Sequence, residues 1–237
     1  MKKIFLLVLT AITFSSCAEL QQIASQFPQD GGILSNGDIS AGLKQALNQG
    51  IDQRVTTLMG TDGFYKNELV KILLPEELQK VDNGLRKIGL GSVADEGLKL
   101  LNRAAEDATK EALPIFVDAV KGMSFADAKN ILLGDQRAAT SYLENRTQTA
   151  LYAKFAPVIN NSLGKVGATD LWTGAITKYN NLPLTTDVNP DLTDYVTQKA
   201  LEGVFKMIEQ EEVEIRSSLN ARTTDLMRRV FAMQDKQ

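Results

Sequence analysis

Apolar residues recur at three- and four-residue spacing along most of this chain, and strand-like alternation is scarce. Leu43, Ala46, Leu47, Ile51, Val55 and Leu58 form one stripe, on a helix capped by Asp38 or Ser40 and running to about Met59. Gly60-Thr61-Asp62-Gly63 marks a turn. The stretch 64–74 is ambiguous, because the residues before Pro75 are biased toward extended backbone. Pro75-Glu76-Glu77 suits a first helical turn, and that helix should stop at Gly89 or Gly91. Ser92-Val93-Ala94-Asp95 has the form of a capping box for a long helix bent or broken at Pro114. Ser124 should cap a short helix ending at Gly134.

The stretch 136–163 is apolar on most sides (Leu143, Ala150, Leu151, Tyr152, Phe155, Val158, Ile159), which predicts a central helix kinked at Pro157. Further helices are expected over 171–179, from an Asn189 cap with Pro190 to about Arg216, and over 222–233. There is no βαβ rhythm and no fixed repeat. The pattern predicts an all-α fold: a single irregular multi-helix bundle with proline-kinked central helices and at most a minor extended segment near residues 64–74.

The N-terminus differs from the rest. Lys2 and Lys3 precede an apolar or neutral run over 4–14. Eleven helical residues rise only about 16 Å, too short for a membrane span and right for the apolar region of a leader. Phe14-Ser15-Ser16-Cys17 resembles the lipobox cut before cysteine by the bacterial lipoprotein signal peptidase, although Phe14 stands where Leu, Val or Ile is usual. The resemblance implies a leader over 1–16 and acylation of Cys17. Two or three acyl chains anchor stably where one does not. Ala18 in place of Asp after the lipidated cysteine favours, by analogy with proteobacterial sorting, the outer membrane. The polar Gly- and Pro-containing stretch 17–37 reads as a tether, leaving 38–237 as the folded domain.

Composition narrows the chemistry. The chain has 237 residues, one cysteine and no histidine, with 26 Lys+Arg against 29 Asp+Glu. Removal of 1–16 takes two lysines and no acids, leaving 24 basic against 29 acidic residues, a net −5. Imidazole catalysis, histidine-ligated metal and thiolate zinc clusters are excluded, and a weakly acidic balance offers no case for nucleic acid. No cofactor or metal site is expected. Asp187-Val188-Asn189-Pro190-Asp191 starts like a calcium loop, but Leu192 and Gln198 break the ligand pattern, so helix capping is the reading. Ser162-Leu163-Gly164-Lys165 and the glycines at 89 and 91 lack the context that their catalytic or nucleotide-binding motifs need.

Four blocks, taken in order, carry a family resemblance: Asn102-Arg103-Ala104-Ala105-Glu106, Pro114 to Val120, Asp194 to Leu201, and Ala221-Arg222-Thr223-Thr224-Asp225-Leu226. Together they resemble the bacterial domain-of-unknown-function family 4197, from about Asp38 to Phe231. Members are usually predicted lipoproteins. The resemblance implies a helical domain with a membrane address and no assigned activity.

One residue stands out on physical grounds. Leu201, Val204, Phe205, Ile208, Ile215 and Leu219 share a stripe, and Glu212 falls inside it. A carboxylate there needs a cation or several donors. Arg222, Arg146 and Lys154 are the candidate partners, the last two by their inward position on the central helix. The main reading is a buried ion pair; a ligand-facing carboxylate is the alternative. Arg103 and Glu106 are expected to pair at the surface or form a docking site. Asp194, Tyr195, Lys199, Thr223, Thr224 and Asp225 hold the densest polar content of the matching blocks, as structural hydrogen bonds or a binding surface. The expected function is a lipid-anchored, periplasm-facing module that binds a protein or envelope component. The alternatives are a carboxylate- and lysine-based enzyme, with Glu212, Lys199 and Tyr195 as candidates, and a carrier of small apolar ligands.

Overall fold

The computed structural model describes residues 34–235 apart from 90, 184 and 185, with the side chains at 77, 80, 81, 84 and 85 also undescribed. The leader, Cys17 and most of the tether therefore lie outside the described residues. The architecture is all helical, with no strand among the described residues. In chain order the helices are α1 (Asn36–Met59), α2 (Gln79–Lys87), α3 (Gly91–Thr109), α4 (Ala112–Lys121), α5 (Phe125–Leu132), α6 (Ala138–Gly164), α7 (Ala168–Asn180), α8 (Leu192–Ser217) and α9 (Asp225–Phe231).

Helix α8 occupies the middle. It packs on α6, α1, α3 and α7, and it buries Val196, Ala200, Leu201, Val204, Phe205, Met207, Ile208 and Ile215. The central place expected for 136–163 thus goes to α8. Helix α6 buries a single line at four-residue spacing, Leu143, Thr147, Leu151, Phe155, Ile159 and Leu163, and leaves Ala150 and Tyr152 exposed. Its apolar content misleads because alanine needs no burial and tyrosine carries a polar tip. Pro157 lies within α6, which continues through it.

Local chemistry explains most boundaries. Ser124 accepts from the Asp127 amide while Asp127 accepts from the Ser124 amide, a complete capping box at the start of α5. The break expected at Pro114 falls before Ala112, so the proline sits in the first turn of α4, where its missing N–H costs nothing. The cap before α8 is Asp191, which accepts from the Asp194 amide. Asn189 instead accepts from the Asp191 amide in a turn just upstream. The segment 71–75 is irregular and extended, between α1 and α2.

Candidate functional site

Helix α6 begins at Arg137 without a side-chain cap of its own. Its cap comes from α8. Glu212 Oε1 accepts from the Ala139 amide at 2.8 Å, and Oε2 accepts from the Thr140 amide and hydroxyl, each at 2.8 Å. A carboxylate at this position satisfies two orphan donors and faces the positive end of the helix dipole. Arg216, one turn along α8, donates to Glu212 Oε1 from Nε at 3.0 Å and Nη2 at 2.8 Å. It also donates to the carbonyls of Ile131, at 2.8 Å, and Leu132, at 3.3 Å, in the last turn of α5. One buried ion pair therefore caps the end of α5 and the start of α6. Glu212 has both oxygens engaged, and the adjoining void, about 30 Å³, is far below the ~300–1,000 Å³ of a typical ligand site.

Arg222 is fully buried beside this pair. Its Nε and Nη2 donate to the carbonyls of Ile215 and Arg216, both at 2.9 Å, closing the C-terminus of α8. Its other face meets Asp235 in a bidentate pair at 2.6 and 2.8 Å, and the guanidinium lies 5.4 Å from the Phe231 ring centroid. Arg222 holds the Asp235 carboxyl below the usual carboxylate range. The expected partners Arg146 and Lys154 stand exposed on α6, away from Glu212, and Arg146 lies instead over the Tyr142 ring. The partner missed in the sequence, Arg216, was legible as an i,i+4 cation on the same helix.

Arg103 and Glu106 are more than a surface pair. Glu106 is buried: Oε1 accepts from the amides of Phe64 and Tyr65 at 3.1 and 3.3 Å, and Oε2 from Arg103 at 2.5 Å. Arg103 also reaches Asp62, at 2.5 Å, a residue in the left-handed region with φ of 67°. Asn102, one position earlier, is wholly buried and takes both backbone groups of Ile72, accepting from N–H at 2.8 Å and donating to C=O at 2.9 Å. The turn after α1 and the extended segment that follows are thus clamped to α3.

The remaining candidates fall in two places. At the start of α8, Tyr195 donates to the Leu73 carbonyl at 2.6 Å and stacks on Trp172, centroids 5.9 Å apart. Asp194 accepts from the Tyr152 hydroxyl and Asn189 at 2.6 Å and from Gln198 at 2.8 Å. The Tyr152 bond is the main reason its carboxyl lies below the ordinary range, and the same bond pushes the Tyr152 phenol up to about 12. Lys199 pairs with Glu202 at 2.7 Å. At α9, Thr223 and Thr224 bond Gln49 and Gln45 of α1, Thr224 also caps α9, and Asp225 pairs with Arg228 at the surface. No group of three or more acidic or cysteine side chains is placed to hold a metal ion among the described residues.

Among the open grooves on the described surface, two border the candidate residues or an apolar face. One, about 400 Å³, runs between α2, α3 and α7, with Leu78, Leu98, Leu101, Leu171 and Trp172 in its walls. Within its lining Leu171 is 75% exposed and Leu100 40%, so the groove presents an apolar surface to water. The other, about 630 Å³, lies between residues 69–76, of which 71–75 are the irregular segment, and the α8 face carrying Tyr195, Lys199, Glu202, Gly203 and Lys206. A family model described as "Protein of unknown function (DUF4197)" matches residues 33–232. The chain belongs to that family. The DUF4197 match spans every helix from α1 to α9, so the buried ion pairs and both grooves lie within it. No curated protein and no solved structure matches the chain. Within the described residues no helix is long and apolar enough to cross a membrane.

Proposed function

We propose that this DUF4197 chain is a lipoprotein of the bacterial cell envelope, held by acyl chains on Cys17 in the outer membrane and facing the periplasm, whose helical domain binds a protein of the envelope. The observation that carries the binding role is the groove between α2, α3 and α7. Its leucines and tryptophan form one contiguous apolar surface with Leu171 and Leu100 left open to water, and folded domains keep such surfaces chiefly for partners. The leader and lipobox-like Phe14-Ser15-Ser16-Cys17 support the address. The buried carboxylates support a binding role over an enzymatic one, because Glu212 and Glu106 already hold helix and turn amides.

The test combines anchor and surface. Cys17→Ser should abolish incorporation of labelled fatty acid and move the protein out of the outer-membrane fraction. Cross-linking in intact cells should trap a discrete adduct, and Leu100→Asp with Leu171→Asp should abolish it while circular dichroism is unchanged. An adduct indifferent to both leucines, or a native protein that carries a small apolar molecule and no adduct, would overturn the reading.

A further inference from the structure

The groove between α2, α3 and α7 is built from two helix faces of one pattern. Ala94, Gly97, Leu98 and Leu101 of α3 line it at i, i+3, i+4 and i+7. Ala168, Leu171, Trp172 and Ala175 of α7 line it at the same spacing. Within α7 only Ile176 is buried, so most of that stripe stays open. Each stripe runs two turns, about 10 Å, with small residues among its larger ones. A Cβ at Gly97 would meet nothing within 4 Å, which leaves room for another backbone to approach. Two such faces side by side accept a third helix, seated at an axis separation of about 8–10 Å.

One carboxylate in the wall says what that helix carries. Asp82 is the single charged residue among those lining the groove. Its Oδ2 accepts from Arg86 Nε at 3.0 Å, but Oδ1 is buried and accepts no hydrogen bond among the described residues. An acceptor shut off from water without a donor is costly, and such an atom marks a place where a further group binds. Arg86 does not fill the need. Its Nη2 donates to Asp95 at 2.7 Å, so one guanidinium serves two carboxylates and one negative charge is left over. The Trp172 N–H is already donated to the Asn189 carbonyl at 3.0 Å. Glu96, Lys99 and Asp170 fall on the far faces of their helices at 100° per residue and do not line the groove. The Asp82 side chain is 20% exposed, and the broad torsion about its carboxylate lets Oδ1 turn to an incoming donor.

We propose that the occupant of this groove is an amphipathic helix of the partner protein, whose apolar face carries one lysine or arginine that donates to Asp82 Oδ1. The inference rests on the reading of the groove as a partner site. The test uses the acylated full-length protein in lipid nanodiscs, with empty nanodiscs as the blank, and four synthetic helical peptides of about 16 residues. All four share a leucine stripe at i, i+3, i+4 and i+7. One carries a lysine beside the stripe, one norleucine there, one glutamate there, and one has the lysine on the opposite face. The first should bind, the norleucine and opposite-face peptides about tenfold more weakly, and the glutamate peptide more weakly still. Asp82→Asn should bring the lysine peptide down to the norleucine peptide and leave the latter unchanged. Leu100→Asp with Leu171→Asp should remove binding of every peptide. Equal binding of the lysine and norleucine peptides, or a lysine preference that survives Asp82→Asn, overturns the inference while the groove stands as a partner site. No binding of any peptide to the folded protein also overturns it, and the cross-linked adduct in cells then reports separately on the partner-binding reading. If Asp82→Asn fails to fold, the lysine peptide against its opposite-face counterpart on the unsubstituted protein still decides.

Discussion

The junction of α5, α6 and α8 and the face formed by α2, α3 and α7 invert the usual rule. The junction buries Glu212, Arg216 and Arg222, while the face exposes Leu100, Leu171 and Val166. At the junction the charges terminate helices: carboxylate oxygens meet amides, and guanidinium groups meet carbonyls. On the face, Leu100, Leu171 and Val166 stand open to water among the described residues. The buried charge at this junction is therefore structural, and the surface open to a partner is the apolar one. A Glu on an apolar stripe draws attention as a candidate catalyst, but its geometry here is that of a cap delivered from another helix.

The comparison is most directly broken by removing the carboxylate. Glu212→Ala strips the cap from α6 and leaves Arg216 buried without its anion, an expected loss of about 3–5 kcal/mol in denaturant unfolding. A loss below about 1 kcal/mol would return Glu212 to the list of functional groups. Arg222→Ala comes next. It leaves the carbonyls of Ile215 and Arg216 without their donor, an expected cost of about 1.5–3 kcal/mol by the same measurement. Asn102→Ala orphans both backbone groups of Ile72 at about 1–3 kcal/mol, and hydrogen exchange of residues 71–74 should rise more than that of α8. Leu171→Asp should change stability by no more than about 0.5 kcal/mol, because the side chain is 75% exposed. A large loss would make the apolar face part of the core.

The smallest expected effect is in pH. Asp235 has its folded carboxyl value depressed by Arg222, so its contribution is present above the unfolded value of about 4 and is lost as pH falls through the lower folded one. Its side chain is 38% exposed, which screens the pair. Asp235→Asn should slightly flatten the acid limb of stability against pH and leave the neutral range level. At the other extreme, Tyr152 should ionise near 12 in an absorbance titration, and Asp194→Asn should bring it back toward its ordinary value near 10.

Much of the architecture was legible in the chain. The stripe from Leu43 to Leu58, the Ser124 box and the break near Pro114 each depend on residues a few positions apart, where periodicity and capping act. The exchange of places between α6 and α8 was not legible, because apolar content measures hydrophobicity without saying which helix has neighbours on every side. Glu212 was identified as unusual from its angular position alone. Its partners at Ala139 and Thr140 lie more than seventy residues away, and no local rule connects them. Arg216 was within reach of the i,i+4 rule, whereas the bond from Asn102 to Ile72 joins a side chain to backbone across a turn and leaves no pattern in sequence.

By itself the sequence determined the helical class, the placement of most helices, the family resemblance and an expected membrane address, because these rest on spacing, caps and short motifs read along one dimension. Tertiary structure alone decided that the buried ions are caps, that the Arg103–Glu106 pair clamps a turn, and that the apolar groove between α2, α3 and α7 lies open. Those facts depend on which helix ends meet and which faces stay uncovered. Such meetings are fixed by the packing of distant segments, and buried carboxylates or exposed leucines acquire meaning only once the rest of the chain has taken its place around them.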